Sequence, residues 1–339
     1  MIKNTPKKWT ALILAAAAVL AFSFSGCNNT DNRQQSQKKQ TDDNPDKISI
    51  VTTIFPQYDF ARQVAGDIAD LTMLLGPGEE SHTFEPTPQD IIDIQNADIF
   101  IYVGGESESW VDGILESVDN DKTTVINMMS LVDVVEEEIV DGMQDDEEDH
   151  GSDPKETGDI SEEFEYDEHV WTSVDNAQII TQAISDALCE IDEANSSVYT
   201  ANCEKYLSDL SSLKKQFTQI VNAGSRNTIV FGDRFPLRYF ADEFGLEYYA
   251  AFPGCAEQSE PSAGTVAFLI EKVREENIPV VFYLELSNGK IAQTIAESTN
   301  AEKMQFNSCH NVTMDQFLDG VTYIDLMKEN IEALEKALQ

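Results

Sequence analysis

The 339-residue chain is poor in basic residues: 22 Lys and Arg stand against 62 Asp and Glu, a formal net charge of −40. A surface this acidic repels phosphate, so nucleic acid is excluded as a partner. The same field attracts cations and keeps the chain soluble. Histidine is scarce, with four in all, and so is cysteine, with five. No Cys-x-x-Cys pair occurs, so a thiolate zinc knuckle is not indicated. His-Glu-x-x-His and Gly-x-Ser-x-Gly are both missing. A zinc hydrolase would need an open coordination position and a general base, and nothing marks either, so the chain is expected not to be an enzyme.

The apolar run from Ala11 to Phe24 is too short for a comfortable transmembrane helix. Lys3, Lys7 and Lys8 precede it, and Phe24-Ser25-Gly26-Cys27 closes it. This is the layout of a secretory signal whose end resembles a bacterial lipobox, with Phe where Leu is commoner. Residues 1–26 are therefore read as a lipoprotein signal peptide. Cys27 becomes the lipidated N-terminus, which places the protein on the outer face of the cytoplasmic membrane. Removing the signal leaves 19 basic against 62 acidic residues. Residues 27–47 carry almost no apolar groups and read as a flexible tether. Outside the cytoplasm Cys189, Cys203, Cys255 and Cys309 can pair in three ways. Cys255 with Cys309 is one candidate bridge.

From Ile48 onward the pattern is α/β. Short β-rich runs (Ile48–Ile54, Ile68–Leu75, Ile99–Val103, Thr123–Asn127) alternate with helical segments, which argues for a parallel sheet covered by helices. The alternation breaks between Asp133 and Glu168, where 18 of 36 residues are acidic and Lys155 is the one base. Like charges at this density repel and stay solvated, so the stretch reads as an acidic loop. A long helix over 196–222 has apolar residues at near-helical spacing. A second α/β pattern then runs from Asn227 to Leu338. The reading is two α/β lobes, 48–195 and 223–339, each with a parallel-rich sheet, joined by one connecting helix. The protein is expected to be monomeric.

Four positions fall where open α/β sheets put ligand groups, just past a strand or before a helix. His82 lies in the turn opened by Gly76-Pro77-Gly78, before a helix with Thr87 as N-cap and Pro88 in its first turn. His169 sits in Asp167-Glu168-His169-Val170-Trp171. Asp233 follows Gly232, and His310 belongs to Asn307-Ser308-Cys309-His310-Asn311. Two neutral imidazoles, a carboxylate and a fourth donor suit Zn²⁺; a carboxylate-richer set favours Mn²⁺. Each position has an ordinary alternative. Asp233 could cap a helix, His310 could be a buried structural histidine, and Glu285 could be a donor or a charged strand end.

Taken together, Gly76-Pro77-Gly78…His82…Glu85-Pro86-Thr87-Pro88, Asp167-Glu168-His169-Val170-Trp171, Gly232-Asp233…Tyr239-Phe240…Phe244-Gly245-Leu246 and Gly320…Tyr323…Leu326-Met327…Asn330 resemble the metal-binding lipoproteins of bacterial ABC importers. This is the ZnuA-like group that carries zinc or manganese, and the resemblance spans about residues 48–338. It implies two lobes with a metal between them, and an ABC permease with its ATPase as partners. It also implies a charged loop before the second histidine motif, often His-rich in zinc members and acidic here. Many zinc members have a histidine where this chain has Asp233, and manganese members a carboxylate. The fourth ligand, usually Asp, falls close to Asn307, and His310 is the better donor nearby. The expected ligand set is His82, His169, Asp233 and His310. Zn²⁺ is the expected ion, because imidazoles and the Irving–Williams order favour it, and Mn²⁺ is the alternative. A surface adhesin with a structural metal is the remaining reading.

Overall fold

Each half of the chain is built from short apolar strands that alternate with helices, and the structure, a computed structural model, describes residues 47–79, 84–119, 122–143, 165–256 and 260–339. Cys27, His82, the expected signal peptide and most of the expected acidic loop lie outside the described residues.

The first half contains β1 (Ile48–Thr52), α1 (Phe55–Ala65), β2 (Ala69–Met73), α2 (Pro88–Gln95), β3 (Ile99–Tyr102), α3 (Trp110–Leu115) and β4 (Thr124–Asn127). Its strands are parallel in the order β2-β1-β3-β4. All four residues of β3 are buried, as expected for an inner parallel strand covered on both faces. Two helices follow, α4 (Val174–Ile191) and α5 (Ser196–Ala223). The second half holds β5 (Thr228–Phe235), α6 (Arg238–Phe244), β6 (Glu247–Pro253), α7 (Ala263–Glu275), β7 (Val280–Leu284), α8 (Lys290–Ser298), β8 (Glu302–Phe306), α9 (Met314–Leu318) and α10 (Tyr323–Leu338). Its sheet repeats the first topology, β6-β5-β7-β8, again parallel. The strand order reverses between β1 and β3 and between β5 and β7, so crevices for ligands open at the carboxyl ends of these strands.

Local chemistry sets several boundaries. Helix α1 begins at Phe55 because Pro56 occupies its first turn, where a missing N–H costs nothing. Helix α2 is closed by a capping box in which the Thr87 side chain and the Asp90 side chain satisfy each other's backbone N–H groups. The five-residue α9, held by a Thr313–Gln316 capping box, is too short to leave a periodicity and was not expected. The ends of the acidic stretch pair with each other: Glu137 N–H donates to Glu165 O (2.8 Å) and Asp167 N–H to Val135 O (3.0 Å).

Helix α5 has 28 residues, so it is about 42 Å long. Its buried face, Tyr199, Cys203, Tyr206, Leu210, Leu213 and Phe217, belongs to one apolar cluster that reaches from Ile50 and Phe60 to Phe240, Phe306 and Leu334. Polar links reinforce it. The buried Asp59 carboxylate on α1 accepts from Arg62 (2.6 Å), from the Tyr206 hydroxyl on α5 (3.4 Å) and from the Tyr323 N–H at the start of α10 (2.7 Å). Arg62 also donates to Val321 O at 2.5 Å. Elements from both halves thus share one core and one buried charge network.

Candidate metal centre

His169 ends the acidic stretch and opens a 3₁₀ turn, Val170–Thr172. It is 1% exposed. Its ring Nδ1 lies 3.0 Å from Asp167 Oδ1, which also accepts the His169 backbone N–H at 2.8 Å. This places the ring proton on Nδ1, so that the lone pair is on Nε2, the arrangement in which a carboxylate orients a metal-binding imidazole. Burial alone would lower the His169 pKa. The Asp167 carboxylate beside it, with Glu168 and Glu137, outweighs that and raises it above the ordinary histidine value.

His310 approaches from the second half of the chain. Its ring centroid is 5.6 Å from that of His169, edge to face. Trp171 packs on both rings, at 5.3 Å and 5.1 Å, and its Nε1–H donates to Ser308 O at 2.9 Å. Asn311 then ties the segment back to the first half: its side-chain amide donates to Gly76 O (3.1 Å) and Glu79 O (2.8 Å). His169, His310, Asp233, Glu285 and Glu79 line one cavity of about 240 Å³. Phe84 lines a smaller cavity that also touches both imidazoles, together with Glu108 and Glu168. The described residues on either side of 80–83 therefore border the two histidines.

Asp233 lies on β5, beside a shift of register between Phe231 and Arg234. Gly232 lets α8 pack closely against this part of β5, since a Cβ there would stand 2.5 Å from the Ala292 backbone. One Asp233 oxygen accepts the Arg234 N–H at 3.0 Å and the other the Leu284 N–H at 3.3 Å. Asp233 thus faces the cavity while tying β5 to β7, and does not cap a helix. Asn307 is not part of the cavity wall: its amide donates inward to Leu326 O (3.2 Å) and Glu329 (3.1 Å). Glu285 spends both oxygens on the Ser308–His310 turn, and burial raises its pKa.

The candidate Cys255–Cys309 bridge is not formed; the four described cysteines are free. The two thiols face different surroundings. Cys309 is fully buried with φ +61°, turned toward Asp59, Glu285 and Glu329. Cys255 faces Glu137 and Glu165, and the ligand atoms of these three lie within 4.8 Å of one another. It is the one such three-residue set among the described residues.

Sequence reasoning missed two contributors. Gly254 packs against the His169 ring, since a Cβ there would meet His169 Cε1 at 3.2 Å. Asn311 links the halves through a side-chain amide. Neither leaves a periodic or motif signal.

A family model described as zinc-uptake complex component A, periplasmic (ZnuA), matches residues 50–337. Among curated proteins, the high-affinity zinc uptake system protein ZnuA of Bacillus subtilis is 29% identical over 332 residues, covering 98% of each chain. The zinc-binding lipoprotein AdcA of Streptococcus pneumoniae is 28% identical over 323 residues, 95% of this chain and 60% of AdcA. Among solved structures, the Zn(II)-bound ZnuA-like domain of S. pneumoniae AdcA has a TM-score of 0.69 at 27% identity, covering 86% of this chain and 99% of that domain. The metal-dependent lipoprotein YcdH of B. subtilis has a TM-score of 0.71 at 27% identity, with 86% and 100% coverage. With its two parallel sheets and its family model spanning both, the chain belongs to the ZnuA family of zinc-uptake components.

Proposed function

We propose that this protein is an extracytoplasmic receptor that captures Zn²⁺ and delivers it to the permease of an ABC importer powered by a cytoplasmic ATPase. It binds and releases its cargo and makes or breaks no covalent bond. The observation that carries this reading is the meeting of His169 and His310 from opposite halves at one cavity wall. The proposed ligands are His82, His169 and His310, with Asp233 as the oxygen donor. Each Asp233 oxygen accepts one N–H and keeps a second lone pair. A site of three imidazoles and one carboxylate suits four-coordinate Zn²⁺. Cys27 is the proposed lipid anchor.

Asp233 and Glu285 at the same cavity supply the one observation that favours Mn²⁺. A competitive titration of the metal-free protein with Zn²⁺ and Mn²⁺, read by calorimetry beside the His82→Ala/His169→Ala variant, separates the two. One tight Zn²⁺ site, lost in the variant and far weaker for Mn²⁺, is expected. Equal or tighter Mn²⁺ binding moves the protein to manganese, and no tight site for either ion overturns the reading.

A further inference from the structure

Glu285 lies one residue past β7, and Ser308 two residues past its neighbour β8, where Leu284 pairs with Phe306. Its carboxylate reaches across this gap. One oxygen accepts the Ser308 N–H at 2.7 Å; the other accepts the Ser308 hydroxyl at 2.6 Å and the His310 N–H at 3.1 Å. The residue between these two N–H groups, Cys309, is left-handed with φ +61° and fully buried. Leu286, the residue after Glu285, is left-handed too, with φ +62°. Cysteine and leucine both resist this conformation.

A left-handed residue between two N–H donors turns both donors to one side and forms a concave anion-binding nest. Here the anion is part of the chain. We propose that Glu285 is a positioning residue for metal capture: it fills the Ser308–His310 nest, holds Cys309 in its disfavoured conformation and thereby fixes the His310 imidazole beside His169. This inference rests on the metal-capture reading and assigns Glu285 a role other than ligation. The opposite side of the turn is held separately, by Trp171 on Ser308 O and by Asn311 on the Gly76–Glu79 turn. From within its own half, Asn330 holds the preceding residue, Asn307, while Glu285 ties the turn itself. A glutamine there sets an NH₂ against N–H donors and removes one acceptor.

The test uses the full-length protein with Zn²⁺ and Co²⁺ as probes. Glu285→Gln is expected to weaken Zn²⁺ binding by about 10- to 100-fold, the usual effect of losing a partner that orients a ligand. At saturating Co²⁺ its absorption bands are expected to stay at wild-type positions, because the donor set is unchanged. Glycine adopts the left-handed conformation freely, so in a Cys309→Gly background the glutamine substitution is expected to cost much less. If Cys309→Gly does not fold, Ser308→Ala takes its place, with an expected loss of about 2- to 10-fold for one hydrogen bond. Unchanged affinity in Glu285→Gln overturns the inference, as does unchanged affinity in Ser308→Ala. Shifted Co²⁺ bands with no relief from glycine also overturn it, by making Glu285 a ligand. A wild-type site that His169→Ala abolishes and Glu285→Gln leaves intact sinks this inference alone; a wild-type protein without a tight site sinks the functional reading instead.

Discussion

Gly254 offers the sharpest mutational test of the site's geometry. A Cβ at this position would stand 3.0 Å from Phe235 O, 3.2 Å from His169 Cε1 and 3.2 Å from Pro236 Cα. Two of these three neighbours are backbone, so the imidazole is the group left to yield. It has little room, because Asp167 Oδ1 holds Nδ1 and Trp171 packs on the ring. Overpacking of this kind costs about 1–3 kcal/mol. If that cost falls on the metal-bound state, Gly254→Ala weakens Zn²⁺ binding roughly 5- to 150-fold, and Gly254→Val does so further. The assay is calorimetric competition against a chelator, with thermal unfolding of the metal-free variant as control. Wild-type affinity in a folded Gly254→Ala protein would refute the reasoning, because it would mean that the ring can move by a few tenths of an ångström without consequence for the metal.

Asp167→Asn removes the carboxylate that orients His169, and is expected to lower Zn²⁺ affinity by about 10- to 100-fold. It should also lower the His169 pKa, observable as a downfield-to-upfield NMR titration moved to lower pH. Asp59→Ala leaves Arg62 and the Tyr323 N–H without their shared buried acceptor and is expected to destabilise the fold by about 3 kcal/mol in urea unfolding, with Zn²⁺ stoichiometry unchanged. Cys189, Cys203, Cys255 and Cys309 are free, so all four should react with a thiol reagent in denaturant without prior reduction, and a reductant should leave the melting temperature where it was.

Much of this architecture could be read from the sequence, because strand and helix periods are local properties. The buried run of β3, the capping of α2 by Thr87 and the apolar stripe along α5 were all legible. The expectation that His169 and His310 meet rested on positions just past a strand or before a helix; His310 does follow β8, whereas His169 follows only an isolated antiparallel bridge, Glu136–Tyr166, and precedes α4. Side-chain direction was not legible. Cys255 and Cys309 both follow strand ends, yet the left-handed turn at Cys309 points its thiol into the core while Cys255 faces the base of the acidic stretch. Glu285 looked like either a donor or a charged strand end, and its three hydrogen bonds to a turn more than twenty residues away have no local signature. Gly254 was invisible for the opposite reason, since its contribution is the absence of a side chain.

The ionisable groups around the two imidazoles give the protein opposite pH responses with and without metal. Burial raises the pKa of Glu137, Glu168 and Glu285, and pushes that of Glu108 up to about 7. For His169, burial works downward, but Asp167 and the neighbouring carboxylates bring the net shift above the ordinary value. Each group thus binds its proton more tightly in the folded metal-free protein than in the unfolded chain. A raised folded pKa contributes stability that is complete below the unfolded pKa and disappears as pH rises through the folded one. The window opens near pH 4.5 for the carboxylates and extends past pH 7 through Glu108 and His169. For Glu108 alone the shift corresponds to about 3 kcal/mol. Metal-free protein, unfolded by urea in the presence of chelator, should therefore be less stable at pH 8 than at pH 5, and Glu108→Gln should flatten that slope. Zn²⁺ binding must run the other way, because the metal takes the lone pair that the proton holds on His169, and capture becomes tighter as pH rises. A metal-free protein more stable at pH 8 than at pH 5 would show that these carboxylates are solvated in solution, and the buried acidic surround of the two histidines would lose its physical basis.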